Sequence, residues 1–215
     1  MPETAIPPEP PVDCAACPRL AAFRSQNQGA HPAFWNAPVP AFGPVDARVL
    51  IVGLAPGLKG ANRTGRPFTG DYAGNVLYHA LLETGFARGH YEARADDGLT
   101  LDGCRVTNAV RCVPPDNKPT TAEIRTCGDT FLKSELAAIP QLRAVLALGT
   151  VAHDAVVQTQ GLVKARYPFA HGREHALPDG LVLADCYHCS RYNVNTGRVT
   201  PEMVRHVLTR LARLA

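Results

Sequence analysis

Four of the seven cysteines in this chain stand at spacings that suit metal ligation. Cys14 and Cys17 form a close C-x-x-C pair, and Cys112 and Cys127 form a wider one. Four soft thiolates hold either zinc or an iron–sulfur cluster, and spacing alone does not separate the two. A redox C-x-x-C belongs in a thioredoxin-like βαβ setting, which the stretch before Pro18-Arg19-Leu20 lacks. An odd cysteine count argues against a complete disulfide framework. Cys104 and Cys186 read as small buried strand residues, and Cys189 as a spare. A second group of chemistry-bearing residues is Gly53-Leu54-Ala55-Pro56-Gly57, Asn62 to Asp71 with Phe68, Asn108, Pro114 to Pro119 with Asn117, and His188 to Asn193. A carboxylate, several amides, an imidazole and an aromatic ring make a candidate active site. The glycines fit neither the Walker spacing nor the dinucleotide fingerprint, which disfavours nucleotide-cofactor enzymes.

Each of these groups follows an apolar run, and the runs supply the frame. Arg48 to Leu54 reads as a buried strand because Val49 to Val52 are continuously apolar. Val76, Leu77, Ala80 and Leu81 recur at helical spacing, which predicts a helix over Ala73 to Phe86. Three more βα units follow: Arg105 to Val110 then Thr121 to Ile139, Ala144 to Leu148 then Thr150 to Gln158, and Leu181 to Tyr187 then Pro201 to Leu214. Thr200 as N-cap, Pro201 in the first turn and Glu202 mark the start of the last helix. Such alternation predicts a three-layer α/β fold with a parallel sheet, whose ligands sit beyond the carboxyl ends of the strands.

Residues 1 to 12 carry five prolines and no periodicity, so an extended or disordered arm without chemistry is expected there, followed by a single domain over residues 13 to 215. The net charge of +3, from 22 Lys+Arg against 19 Asp+Glu, is compatible with a polyanionic partner but does not demand one. No apolar run approaches the roughly 18 to 20 residues of a membrane span, and no signal core follows the N-terminus. A cytoplasmic protein with no membrane partner is expected, working as a monomer.

Taken together, Cys14-x-x-Cys17-Pro18-Arg19, Gly53 to Gly57, Gly65 to Asp71, Val110-Arg111-Cys112-x-Pro114-Pro115-x-Asn117-Lys118-Pro119 and His188-x-Ser190-Arg191-x-Asn193 resemble the type 5 uracil-DNA glycosylases, over a stretch from about Cys14 to the C-terminus. The resemblance implies a central four-stranded parallel sheet with flanking helices and a structural [4Fe–4S] cluster on Cys14, Cys17, Cys112 and Cys127. It also implies hydrolysis of the N-glycosidic bond of uracil and other deaminated bases, such as hypoxanthine and xanthine, mostly in double-stranded DNA. It puts Asp71 where the family positions or activates the attacking water and His188 where the family histidine approaches the base, with Asn193 and Asn117 at further polar positions. Phe68 matches the ring on which a flipped base stacks, and the Gly53 to Gly57 turn, with Ala55, borders the base. One departure is Asn108, which looks like the type 4 version of this strand end and leads to an expected stronger preference for uracil. Arg191, Tyr192 and Arg198 form a segment suited to phosphate contact and a wedge in the duplex. With no lysine assigned as nucleophile, a monofunctional enzyme is expected, one that flips the base out of DNA and leaves an abasic site.

Two rivals stand beside this reading: a non-catalytic four-cysteine DNA-binding module and an iron–sulfur redox protein. A nucleoside hydrolase acting on free nucleosides is a remoter third. Abasic-site formation in DNA separates all three from the glycosylase.

Overall fold

The computed structural model describes residues 6–214; residues 1 to 5 of the proline-rich arm and Ala215 lie outside the described residues. Four strands are buried on both faces, as parallel strands under helices must be: β1 (Val49–Gly53), β4 (Cys104–Asn108), β5 (Ala144–Leu148) and β7 (Val182–Cys186), of which β1 and β5 are apolar throughout while β4 carries Arg105, Thr107 and Asn108 and β7 carries Asp185. They pair in parallel in the order β4-β1-β5-β7, with Gly53 opposite Asn108 and Leu148 opposite Cys186 at their carboxyl ends. The sheet gains a fifth strand beyond the four expected, because β6 (Glu174–Ala176) adds antiparallel to the β7 edge. A two-stranded hairpin, β2 (Ala87–Arg88) with β3 (Thr100–Leu101), stands apart.

Alternate strand residues face opposite layers. Val49 and Ile51 pack with helices α3 (Tyr72–Glu83) and α8 (Pro201–Leu211). Leu50 and Val52 pack with α5 (Lys133–Ala138) and α6 (Thr150–Thr159). Each buried Leu, Ile or Val contributes about 1.5 to 3 kcal/mol. Helix α4 (Thr121–Cys127) opens on a full capping box, in which Thr120 Oγ1 accepts from the Glu123 amide and the Glu123 carboxylate accepts from the Thr120 amide. It runs through a π turn at Gly128–Leu132 into α5, so the single helix expected over 121–139 is one helical rod with a bulge just after Cys127. Thr200 caps α8 by accepting from the Met203 amide, as expected.

Helix α1 (Pro18–Ala30) is the longest described, and α2 (Ala61–Thr64) and α7 (Arg191–Asn195) are single short turns of helix. The part of the arm that is described carries more than was expected of it. Glu9 bridges Arg105 Nη2 at 2.9 Å and Arg111 Nη1 at 2.8 Å, and both arginines also reach the fully buried Glu135. Two cations thus meet two anions, which is how buried charge avoids an uncompensated desolvation cost.

Candidate active site and metal centre

The loops after β1, β4 and β7 enclose a cleft of about 550 Å³. Its wall includes the 54–61 turn, Phe68, Asp71, Asn108, Asn117, His188 and Ser190. Residues drawn from positions 54 to 190 therefore meet at the strand ends where an open α/β sheet places its ligand.

Asp71 is the N-cap of α3. Its Oδ1 accepts from the Gly74 amide at 2.9 Å, satisfying a helix donor that has no intrahelical partner. Its Oδ2 turns toward the 57–60 turn, standing 3.6 Å and 2.7 Å from where a Cβ would sit on Gly57 and Gly60. One carboxylate oxygen caps and the other borders the cleft. Asn117 approaches the same turn, its Oδ1 3.9 Å from the Cβ position of Gly57, and reaches it through two successive left-handed residues, Asp116 and Asn117. Asn tolerates that conformation better than most side chains.

Phe68 lies across Gly53. A Cβ on Gly53 would stand 2.4 Å from the Phe68 ring and 2.5 Å from Asn108 Oδ1, so only glycine lets both side chains close over the end of β1. The Phe68 ring centroid is 6.1 Å from that of His188. Asn108 is buried, and its side-chain amide borders the cleft with no hydrogen-bond partner among the described residues. Burial pushes the His188 pKa down, against the opposing pull of Asp71, so its imidazole is neutral at pH 7 and carries one N–H to donate. Ala55 also lines the cleft.

Asn193 shares with His188 the wall of an adjoining cleft, on the Leu148–Gly149 side of Leu54, and is not on the wall that holds Asp71. Its amide donates to the His188 backbone carbonyl at 2.7 Å, and its own carbonyl accepts from the Arg198 amide at 2.9 Å. These two bonds brace the 188–199 segment. Ser190 caps α7, on which Arg191 and Tyr192 stand exposed beside the cleft; Tyr192 is 74% exposed, unusual for so large a ring. Arg191 lies over the Tyr72 ring and Arg198 over the Tyr187 ring.

Cys14, Cys17, Cys112 and Cys127 line a common small void walled by Leu20, Val110 and Phe131. Arg19 ties α1 to α4 through Glu123, at 2.8 Å and 2.7 Å, which brings the C-x-x-C pair to the two later cysteines. Arg24 Nη1 donates to Cys112 Sγ at 3.7 Å and the Arg111 amide to Cys127 Sγ at 3.4 Å. Burial pushes the Cys112 thiol up to about 11 and Cys127 to about 12, so both are protonated unless a cation is bound. Among the described residues no three of these sulfurs lie within 4.8 Å of one another. Zn–S bonds of about 2.3 Å hold tetrahedral sulfurs only about 3.8 Å apart. Cys104, Cys186 and Cys189 are fully buried away from this void.

Sequence reasoning did not find the buried trio His153, His175 and Asp185. Asp185 Oδ1 pairs with His153 Nδ1 at 2.6 Å, and Oδ2 meets His175 Nε2 at 3.2 Å and the Ala170 amide at 3.0 Å. The other His153 nitrogen is 2.7 Å from the Tyr167 carbonyl. With both its nitrogens engaged, His153 fastens the 167–175 segment to the sheet. Burial lowers its pKa, but the Asp185 bond and charge outweigh that and leave it raised. The signal available was a lone carboxylate inside the otherwise apolar β7 run. Arg66 and Asp97, buried beneath the Phe68 loop, were likewise not singled out.

A fold of this kind, with its cleft at these strand ends, has a match among known proteins: the chain belongs to the uracil DNA glycosylase superfamily, whose family model matches residues 40–212. Within it the chain falls in the type-5 branch. It is 46% identical over 207 residues to the type-5 uracil-DNA glycosylase of Thermus thermophilus, covering 94% of each chain. It is 42% identical over 205 residues to that of Pyrobaculum aerophilum, covering 94% of this chain and 88% of the relative. The type-4 uracil-DNA glycosylase of Thermotoga maritima is 35% identical over 112 residues, about half of either chain.

Proposed function

We propose that this chain is a monofunctional DNA glycosylase that hydrolyses the N-glycosidic bond of uracil and of other deaminated bases, hypoxanthine and xanthine among them, in mostly double-stranded DNA, so initiating base excision repair. The observation that carries the reading is the meeting of Asp71, Phe68, Asn108 and His188 around one cleft. The base leaves as an anion from a sugar carbon that becomes cationic, so catalysis needs donors at the base and a held water at the sugar. Neutral His188 donates to the departing base, and the free oxygen of Asp71 orients the water and offsets the cationic sugar. Phe68 stacks on the flipped base, a contact every base accepts. The Asn108 amide offers a donor and an acceptor to the uracil edge, and a wrong base that leaves it unpaired costs about 1 to 3 kcal/mol. Asn117 and the Gly53 to Gly57 turn, with Ala55, complete the base pocket.

Arg191 and Arg198 contact phosphates while Tyr192 enters the duplex as a wedge, the chain working as a monomer. Cys14, Cys17, Cys112 and Cys127 line one void, two of their sulfurs receive N–H donors, and the four would hold the [4Fe–4S] cluster that the type-5 resemblance implies. Such a cluster supplies a covalent tie between α1, β4 and α4; the hydrolysis itself moves no electrons.

The test is base release from duplexes carrying uracil opposite guanine or hypoxanthine opposite thymine, using iron-loaded protein with four iron and four sulfide per chain. Release by the wild type, lost in Asp71→Ala and His188→Ala, is expected, and Asn108→Ala should lower the ratio of uracil to hypoxanthine rates. No release from either duplex overturns the enzyme and leaves a DNA-binding or redox module.

A further inference from the structure

Phe68 holds a left-handed backbone, at φ 53°. That is a costly conformation for a bulky side chain, and it persists only where surrounding groups over-determine it. Those groups are present and lie outside the cleft. The Arg66 guanidinium is sandwiched by three rings, with its carbon 5.0 Å from the Phe42 centroid, 5.2 Å from Tyr78 and 5.7 Å from Tyr91. It meets Asp97 side-on with two bonds of 2.8 Å and 2.7 Å, and its Nε donates to Thr69 Oγ1 at 2.8 Å. Asp97 has no side-chain exposure and also accepts from the Glu92 and Leu99 amides. Tyr78 Oη donates to the Pro67 carbonyl at 2.6 Å and Tyr91 Oη to the Phe68 carbonyl at 3.3 Å. The carbonyls of Pro67 and Phe68 are therefore held by groups that do not line the cleft.

We infer that Arg66 and Asp97 are positioning residues for the reaction, acting through Phe68: the buried pair, with the Tyr91 hydroxyl, holds the ring in the orientation that captures a flipped base. The inference rests on the glycosylase reading above and adds residues to it that touch no substrate. A bidentate pair inside an aromatic cage has one orientation, whereas a general packing contact tolerates several. Asp97 lies between β2 and β3, is absent from the cleft wall and meets the loop through Arg66, so its effect on chemistry must pass through residues 66–69.

The experiment is a double-mutant cycle on iron-loaded protein, with single-turnover release of uracil from duplex as the readout. Asp97→Asn alone is expected to slow release about tenfold or more, the scale of a misplaced positioning group. In a Phe68→Ala background the same change should slow it by less than about twofold, because the element it acts through is gone. Binding to undamaged duplex should stay within about twofold, while binding to duplex carrying a non-cleavable uracil analogue weakens in step with the rate. Tyr91→Phe, which keeps the ring and removes only the hydroxyl, leaves the Arg66–Asp97 pair in place and gives the same pattern with a smaller amplitude, so a failure of Asp97→Asn to fold does not end the test. Equal slowing with and without Phe68 would assign both residues to general stability and overturn the inference while leaving the glycosylase intact. Absence of release by the wild type would instead remove the reading on which it rests.

Discussion

Asp71 caps α3 through one oxygen and, in the proposed reaction, orients water through the other, and substitution separates the two. Asn caps a helix about as well as Asp, so Asp71→Asn should keep the bond to Gly74 and change stability by less than about 0.5 kcal/mol, against about 1 kcal/mol for Asp71→Ala. Both should slow base release by about 100-fold or more, the scale of a lost acid–base group. Thermal melting beside single-turnover rates checks this, and a normal rate in Asp71→Asn would confine the residue to capping. The same change removes the charge that raises the His188 pKa, so that pKa should fall further in an NMR titration. His188 is buried neutral, so the unfolded chain binds its proton first. Its contribution is therefore a loss of stability as the pH drops below the ordinary imidazole value, and it is absent above it. The cleft residues were legible because each follows an apolar run at a strand end. Arg66, Asp97 and Asp185 were not: their partners are 31 or 32 positions away, or come from other elements, and a buried charge looks like a solvated one in sequence.

The end of β1 illustrates how an element makes a site. Gly53 closes a strand that packing would permit to end in any small apolar residue, yet Phe68 and Asn108 leave no room for a methyl. Gly53→Ala should therefore fold, with the sheet intact by circular dichroism, and lose base release by about tenfold or more through displacement of that ring and amide. Unchanged release would mean the ring has other room. The parallel strands and their helices were readable because continuous apolar runs in β1 and β5, βα alternation and a 3.6-residue period are strong signals. Helix α1 was not, since its buried face carries Arg24 and Asn27 beside Leu20, and no apolar stripe marks it. Strand β6 was missed for a related reason: three residues, Glu174-His175-Ala176, hold their place through an edge ladder and Asp185 rather than through hydrophobicity.

At the scale of the molecule, a net charge of +3 predicts little, but its placement predicts more. Arg191 and Arg198 stand exposed, so the phosphate contacts proposed for them would lie where salt competes. Replacing either by alanine should weaken duplex binding similarly for damaged and undamaged DNA and reduce the slope of log affinity against log salt by about one. A slope unchanged in both variants would move the DNA path elsewhere. The four-member charge network around Glu9 has a consequence in time rather than in energy. Glu9 and Arg111 are 102 positions apart. At about 5 to 20 residues per second of synthesis, the arm waits roughly 5 to 20 s for its partner to be made. The segment around Glu9 thus finds its place long after it is made, and during that interval its docking surface does not yet exist.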